Sequence, residues 1–238
     1  MTDERAVLAP RYITLDFGDT LVTSEPSYLE RVTLGLAELG APRSQEEVVA
    51  AYLNADLAAA RELLPRAPFS PEEFRETFSA AFFQGLGLLD RASELGPPLT
   101  RKLIELRPRR VLMEGARELL EKLHDEGYAL GIISNNDGYT REKCEDVGIA
   151  HFFQFILDST VEGIMKPDPR IFHKALALAR VQPQELLHVG DLYGCDALGP
   201  HTLGIPAVWL QNDLIQPEPA PGVQHISRLL DLLDLLKK

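Results

Sequence analysis

The stretch "ITLDFGDTLV", residues 13–22, decides the fold of this chain. Its apolar start is typical of a buried strand, and the run stops abruptly at Asp16. A buried carboxylate costs free energy unless it is paired or used, so an aspartate at a strand end indicates a functional group. Two residues further on, position 18 is a glycine and supplies no second carboxylate. The stretch therefore predicts a strand that delivers one acidic group, Asp16, to the edge of a sheet.

Length and composition restrict the class of protein. The chain has 238 residues, 45% of them hydrophobic and 25% charged, with a net charge of -12. This length suits one large α/β domain or a core domain with a small second one. A net negative charge without a basic stripe argues against a nucleic-acid partner. The two cysteines, the polar N-terminus and the lack of any run of about 18 apolar residues predict a cytoplasmic protein without a secretion signal or a membrane span. Oligomeric state stays open.

Apolar runs and helical patterns alternate along most of the chain. Runs that are apolar almost throughout are typical of parallel strands covered on both faces, and five of them occur: "YITLDF", "YALGIISN", "FFQFILDS", "ELLHVGD" and "IPAVWLQ". Helical patterns cover residues 113–126, 138–147, 168–180 and 194–203, and residues 227–237 read as a last amphipathic helix. The alternation predicts an α/β fold with a doubly wound parallel sheet.

Residues 24–107 break this alternation, because they contain helical segments and no convincing strand. Ser44 and Ser70 are good N-cap residues, and Pro71 suits a first helical position. About 80 residues are too many for a loop. We therefore predict an inserted all-helical domain over residues 23–107, within a core domain formed by residues 1–22 and 108–238.

Polar side chains follow three predicted strands and one loop. Asp16 ends the first strand, Ser134 and Asn135 follow the second, and Asp191 follows the "LLHVG" strand, with Asp196 five residues later. Lys166 precedes a helix that we expect to begin with Asp168 as N-cap and Pro169 at its first position. Ligands of open parallel sheets bind beyond the carboxyl ends of the strands, so these groups are expected to meet there.

The chemistry of these groups suggests phosphoryl transfer. Asp16 and Asp191 would repel each other without a cation between them, and hard oxygen ligands suit Mg²⁺. Ser134, neighbouring backbone N–H groups and Lys166 would hold a tetrahedral anion against that metal. Asp16 would then be placed to attack phosphorus as a nucleophile.

The order of these motifs resembles that of the haloacid dehalogenase-like hydrolase superfamily over nearly the whole chain. Asp16, Thr20 and Leu21 match the family's first motif, Ser134 the second, Lys166 the third, and "GDLYGCD" the acidic fourth. The segments "ISNND", "KPDPRIF" and "HVGDLYGCDALGP" look most like the haloacid dehalogenase-like hydrolase domain-containing protein 3 group.

The resemblance implies a Rossmann-like core, a helical cap inserted after the first strand, and a hydrolase. It implies catalysis by Asp16, Ser134 and Lys166, and substrate binding by Ser134, Asn135 and Lys166. Mg²⁺ would be held by Asp16, Asp191 and the backbone carbonyl of Gly18, and the substrate would be a small phosphorylated molecule.

Gly18 departs from the family pattern, in which a second aspartate acts as general acid and base. Acid–base help is worth about 10²–10⁴-fold, so hydrolysis of a phosphomonoester is expected to be slow. Asp19 is one residue away and supplies a carboxyl group only if the turn aims it inward; the other interpretation is a turn residue bonded to its own backbone.

Two other functions stay open at this point. Members of the family that dehalogenate 2-haloacids need no metal, although Asp191 makes the fourth motif more acidic than that reaction requires. A non-catalytic protein that binds metal, phosphate or a partner is the second alternative, since loss of an acid–base group fits such a history.

Overall fold

The computed structural model describes residues 8–105, 108–212, 214, 215, 217 and 220–236. The fold is built on a sheet of parallel strands in the order β5-β4-β1-β6-β7-β8. These strands are β1 (Tyr12–Leu15), β4 (Ala129–Ser134), β5 (Phe153–Asp158), β6 (Leu186–Gly190), β7 (Ala207–Leu210) and β8 (Val223–Ile226). The predicted α/β fold with a doubly wound parallel sheet is therefore confirmed.

Helices alternate with these strands along the second half of the chain. They are α5 (Ala116–Asp125), α6 (Thr140–Asp146), α7 (Ser159–Glu162), α8 (Pro169–Ala179), α9 (Gly199–His201) and α10 (Leu232–Leu235). Asp168 caps α8, and Pro169 opens it, as predicted. The predicted tail helix is broken into a 3-10 turn at Leu229–Asp231 and the short α10, and Lys237 lies outside the described residues.

The sheet is covered by apolar clusters on both faces. Ile13 and Leu15 pack with leucines of α5 and α10 on one face. Tyr12 points to the opposite face and packs with Ile171 and Phe172 of α8. Successive side chains of a strand point to opposite faces, so the run from Tyr12 to Leu15 serves both clusters and is buried throughout.

Residues between β1 and the rest of the sheet form four long helices: α1 (Tyr28–Glu38), α2 (Gln45–Leu63), α3 (Pro71–Gly85) and α4 (Ala92–Glu105). Ser44 and Ser70 each form a capping box, and Pro71 opens α3, as predicted. The four helices share an apolar cluster of their own, centred on residues such as Leu36, Phe82 and Leu95. The domain boundaries at residues 22/23 and 107/108 stay a prediction, which this separate cluster supports.

A short antiparallel pair of strands flanks these helices, one strand before them in the chain and one after them. β2 (Val22–Glu25) pairs with β3 (Arg109–Leu112), residues that are far apart in the sequence. The expectation of no strand in residues 24–107 was wrong at its edge, because Ser24 and Glu25 belong to β2. Both strands are four residues long, and only their pairing defines them. No described helix is long and apolar enough to span a bilayer.

Candidate active site

The carboxyl ends of three neighbouring strands bring the predicted polar groups together. β1 lies between β4 and β6, so Asp16, Ser134 and Asp191 emerge at the same edge of the sheet. The N–H of Asp16 donates to the carbonyl of Val189 at 2.8 Å, which extends the ladder to the functional residue. The backbone hydrogen bond fixes where the Asp16 side chain begins.

Lys166 lies between two of the carboxylates. Its Nζ is 2.5 Å from Oδ1 of Asp16 and 2.7 Å from Oδ1 of Asp196. The lysine side chain is only 2% exposed. Carboxylate oxygens of Asp16, Asp191 and Asp196 all lie within 4.8 Å of one another. The predicted lysine and aspartates therefore form one buried charged cluster.

Burial and charge act in opposite directions on the pKa values of this cluster. Burial raises the pKa of Asp16 to about 6, against the lowering effect of the Lys166 charge. Burial also acts to raise the pKa of Asp196, but Lys166 and the hydrogen bond from His188 outweigh it and lower this pKa to about 2. Burial acts to lower the pKa of Lys166, and the charges of Asp16 and Asp196 reverse this and raise it. The lysine therefore remains an ammonium group that holds both aspartates.

Asp191 has no such partner. Its carboxylate accepts a hydrogen bond from the Thr20 hydroxyl at 3.0 Å, and no described lysine or arginine pairs with it. Burial and the nearby charge of Asp16 raise the pKa of Asp191 well above its ordinary value. No described N–H donates to the carbonyl of Gly18. The uncompensated carboxylate and the open carbonyl oxygen offer hard donors that fit Mg²⁺.

Ser134 and Asn135 differ in what their side chains do. Ser134 is buried at the end of β4, and no described residue hydrogen-bonds to its hydroxyl, which leaves that group for a ligand. The side-chain amide of Asn135 donates to the carbonyl of Lys166 at 2.8 Å and accepts from the Lys166 N–H at 2.8 Å. Asn135 thus fixes the backbone from which the lysine reaches the cluster.

His188 and Trp209 also support the site, and the sequence analysis missed both roles. His188 is buried in β6, where one ring nitrogen lies 2.9 Å from the Thr14 hydroxyl and the other 3.1 Å from Asp196. The Trp209 indole N–H donates to the carbonyl of Asp191 at 2.8 Å. A histidine inside an otherwise apolar strand was the signal that could have identified the first of these contacts.

Gly18 and Asp19 form the turn after β1. A Cβ placed on Gly18 would meet no atom within 4 Å, so the turn has room for a side chain there. Asp19 has a positive φ of 53°, which aspartate tolerates better than most residues. Its carboxylate accepts from the Thr23 hydroxyl at 2.6 Å rather than from its own backbone. Asp19 also faces the open space beside Asp191.

A cleft of about 600 Å³ opens from Asp191 toward solvent, and we call it the entrance cleft. Its lining includes Gln45, Val49 and Tyr52 of α2, and Gln211 and Asn212 after β7. Asp191 is the member of the acidic cluster that lines this cleft, so the cleft adjoins the cluster at that residue.

The helix α2 contacts the fourth motif through Asp56. Its carboxylate accepts from the N–H groups of Gly194 and Cys195, at 2.5 Å and 3.1 Å. These N–H groups belong to a π-helix at Tyr193–Leu198, where the sequence predicted an ordinary helix from residue 194. Single π-helical turns are frequent at functional sites. Here the π-helix contains Asp196 and places its carboxylate next to Lys166.

The fold and this cluster define a protein with a doubly wound parallel sheet and a buried aspartate at the tip of its first strand. The chain belongs to the haloacid dehalogenase-like hydrolases, because the family model described as "haloacid dehalogenase-like hydrolase" matches residues 10–204. The resemblance drawn from the motifs is therefore confirmed, and with it the prediction that the chain is an enzyme.

Curated relatives match part of the chain. The haloacid dehalogenase-like hydrolase domain-containing protein 3 of Bos taurus is 36% identical over 135 residues, which are 52% of this chain and 53% of the relative. A phosphoserine phosphatase of Thermus thermophilus is 35% identical over 160 residues, 66% of this chain and 61% of the relative. The chain thus spans between half and two thirds of these relatives.

A solved structure extends the likeness of fold to nearly the whole chain. The crystal structure of a predicted phosphoglycolate phosphatase from Haemophilus somnus has a TM-score of 0.67 and 19% identity, and the match covers 96% of this chain and 98% of that one. At this identity the comparison supports the fold alone.

Proposed function

We propose that the protein is a Mg²⁺-dependent phosphatase that transfers the phosphoryl group of a small phosphorylated molecule to Asp16 and then to water. The observation that carries this proposal is the pairing of Asp16 with Lys166 beside an unpaired Asp191. A purely structural ion pair would have no need for the additional, partly buried carboxylate of Asp191, whose repulsion from Asp16 costs stability.

The reaction begins at Asp16. Lys166 keeps one carboxylate oxygen in place, and the other oxygen attacks phosphorus as the P–O bond to the leaving group breaks. The leaving group departs with its bridging oxygen as an alkoxide or aryloxide and takes its proton from water. Water then attacks the phosphorus of the aspartyl phosphate, which releases inorganic phosphate and restores the carboxylate. Ser134 and Lys166 bind the phosphoryl oxygens and oppose their negative charge.

Asp16, Asp191 and the carbonyl of Gly18 are the groups that would hold the cation. Bound there, Mg²⁺ would supply charge neutralisation for the phosphoryl oxygens. Gly18 has no proton to give, so an alkoxide leaving group departs without help from that position. We therefore expect slow turnover of alkyl phosphates and faster turnover of aryl phosphates, whose leaving groups need little protonation.

The named activities of relatives support a phosphatase. Phosphoserine phosphatase of Thermus thermophilus and glyceraldehyde 3-phosphate phosphatase of Pyrococcus furiosus are 35% and 36% identical to this chain over the matched segments. Their named substrates differ, so the relatives support the type of reaction but not a particular substrate. Evidence on the substrate of this chain has to come from the residues of its own cleft.

The test is hydrolysis of an aryl phosphate with and without Mg²⁺. We expect turnover that requires the metal and falls by at least about 10³-fold in Asp16→Asn, because the nucleophile is lost. Asp90→Asn is the matched control, because Asp90 is an exposed aspartate far from Asp16 in the sequence. This variant should keep full activity. Metal-independent consumption of 2-chloropropionate would replace the proposal by dehalogenation, and no turnover of either compound would favour a binding protein.

A further inference from the structure

The entrance cleft has an unusual balance of charge for a protein that binds phosphorylated molecules. Among its described lining residues, the acidic ones are Asp19, Glu114 and Asp191, and the only basic one is Arg228. The Arg228 guanidinium lies 2.7 Å from Asp231, and its side chain is 80% exposed. The described lining therefore presents three carboxylates and one guanidinium, already paired with a carboxylate, to a second anionic group on the substrate.

Arg31 is another cation close to Asp19, and its Nε is buried without a described hydrogen-bond partner. Burial raises the pKa of Asp19, and the hydrogen bond from Thr23 and the charge of Arg31 oppose this rise. The Arg31 guanidinium donates to the carbonyl of Leu103 at 3.3 Å and to the Ser24 hydroxyl at 3.5 Å. It is not among the lining residues of the cleft.

Uncharged polar groups make up the rest of the polar lining. Tyr52 and Gln211 line the cleft, and no described residue hydrogen-bonds to the Tyr52 hydroxyl or to the side-chain amide of Gln211. Asn212 accepts from the N–H of Leu214 through its oxygen and keeps its NH₂ group. These groups can donate to and accept from hydroxyl or carbonyl groups of a neutral molecule.

Apolar side chains complete the walls, among them Leu29, Val49, Leu53 and Met113. A volume of about 600 Å³ lies in the usual range for sites that bind small molecules. Apolar walls with a few uncharged polar groups suit a carbon skeleton that carries hydroxyl groups.

We infer that the substrate is a phosphate monoester with an uncharged, hydroxylated leaving group, and that the cleft discriminates against leaving groups that carry a carboxylate. This inference rests on the proposed phosphatase function, because it describes the part of the substrate beyond the transferred phosphoryl group. A carboxylate in the cleft would be desolvated within a lining that carries Asp19 and Glu114, and the one lining guanidinium, that of Arg228, already has a carboxylate partner.

Glycerol 3-phosphate and 3-phosphoglycerate form a matched pair of probes, because they differ mainly in a CH₂OH group against a carboxylate. Competition of each with hydrolysis of an aryl phosphate measures binding even when an alkyl leaving group turns over slowly. We expect the inhibition constant of glycerol 3-phosphate to be at least about tenfold lower. Gln211→Lys should remove most of this difference, because it places a cation in the cleft.

Gln154→Lys is the matched control, because Gln154 is exposed on β5 and its substitution makes the same change of charge outside the cleft. It should keep the preference of the unmodified protein. Three results would overturn the inference: equal or stronger competition by 3-phosphoglycerate, no competition by either compound, or an unchanged preference in Gln211→Lys. Hydrolysis of the aryl phosphate in the same experiments would still support the phosphatase function. Absence of Mg²⁺-dependent aryl phosphate hydrolysis would overturn both.

Discussion

At the scale of single residues, Gly18 is the point where this chain departs from its family's pattern. The site keeps Asp16, Lys166 and an acidic cluster, yet position 18 has no side chain that could transfer a proton. The turn does not require glycine for steric reasons, because a Cβ there would meet no atom within 4 Å. The turn therefore has room for a side chain at position 18, and what glycine lacks there is a group that can donate and accept a proton.

Gly18→Asp should raise turnover of an alkyl phosphate by about tenfold or more, because a carboxyl group at this turn can protonate the leaving alcohol and then activate water. Turnover of an aryl phosphate should change much less. Steady-state kinetics with both substrates measures the difference. Gly18→Asn, which has the same size and no acidic proton, is the control. Equal gains in the two variants, or a loss in Gly18→Asp, would show that the site is organised around glycine.

Asp56 gives a prediction for the pH dependence of stability. Burial raises the pKa of Asp56 to about 7, and the hydrogen bonds from Cys195 and Gly194 lower it by less. An aspartate in the unfolded chain has a pKa of about 3.9. Between these two values the folded state binds more protons than the unfolded state. Asp56 therefore lowers stability as pH rises through this window, with a slope of at most about 1.4 kcal/mol per pH unit.

Urea unfolding at pH values from 5 to 8.5 tests this expectation in the unmodified protein and in Asp56→Asn. Because the amide does not titrate, the unmodified protein should lose free energy of unfolding relative to the variant as pH rises to about 7, and the difference should then level off. The variant also changes two hydrogen bonds, so the slope rather than the absolute difference is the measure. Parallel pH profiles would contradict the raised pKa.

The sequence predicted the candidate reactive residues more successfully than the residues that hold them in place. Asp16, Lys166 and Asp191 were predicted together, because each stands at a strand end or beside a helix start. His188 and Asp56 were missed as parts of the site. Asp56 meets Gly194 at a separation of 138 residues, and no local pattern marks that contact. Long-range hydrogen bonds of this kind depend on how the helices pack over the sheet.

At the scale of elements, local signals predicted helix starts and the apolar strands, including the short β1 and β7, and failed for short strands that contain polar residues. The capping boxes at Ser44 and Ser70 are local patterns of side chain and backbone, so sequence alone is enough to find them. The strands β2, β3 and β8 each have four residues with partly polar sequences. They are strands only because a partner lies beside them, and a partner that is distant in the sequence leaves no local trace.

The close contact between α2 and the π-helix gives a prediction at this scale. A Cβ on Gly194 would lie 2.5 Å from the Asp56 carbonyl oxygen and 2.8 Å from the Ala60 Cβ. Gly194→Ala should therefore push these elements apart and lower the free energy of unfolding by about 1–3 kcal/mol. It should also reduce phosphatase activity, because the π-helix carries Asp196 to Lys166.

Gly96→Ala is the matched control for this substitution. Its Cβ would meet the Phe83 ring at 3.7 Å, an ordinary contact, within the helix α4. Alanine is the better helix former, but Gly96 directly precedes Pro97, whose ring crowds a Cβ on the preceding residue. This variant should therefore change the free energy of unfolding by less than about 1 kcal/mol. Urea denaturation measures both variants. If Gly194→Ala proved as stable as the unmodified protein, the packing of α2 on the fourth motif would be looser than the structure indicates.

At the scale of the whole molecule, the topology explains why the site could be anticipated at all. Parallel strands end at one edge, so residues after the strand at Asp16 and the strand at Asp191 had to meet once the sheet was predicted. The order of strands places β1 in the middle, between β4 and β6. The cleft above this edge was not predictable, because its walls come from α2 and from residues after β7, whose relative position depends on packing.

The acidic cluster gives a prediction that stability depends on a cation. The fold holds Asp16 and Asp191 close together, and Asp191 has no described basic partner, so the folded chain carries repulsion that the unfolded chain does not. A cation bound only by the folded state stabilises it by about 2.7 kcal/mol at a concentration of one hundred times Kd. For a chain of this size we expect Mg²⁺ to raise Tm by about 5 °C or more under that condition.

Asp191→Asn separates this effect from general salt stabilisation. Without metal the variant should be more stable than the unmodified protein, because one repelling charge is gone, and Mg²⁺ should no longer raise its Tm. Asp90→Asn, which removes an exposed charge, should keep the full response to the metal. Thermal unfolding followed in Mg²⁺ and in a chelator at equal ionic strength measures all three proteins. An equal response of Asp191→Asn and the unmodified protein would place the cation elsewhere, and the strand tips would then hold the Lys166 ion pair alone.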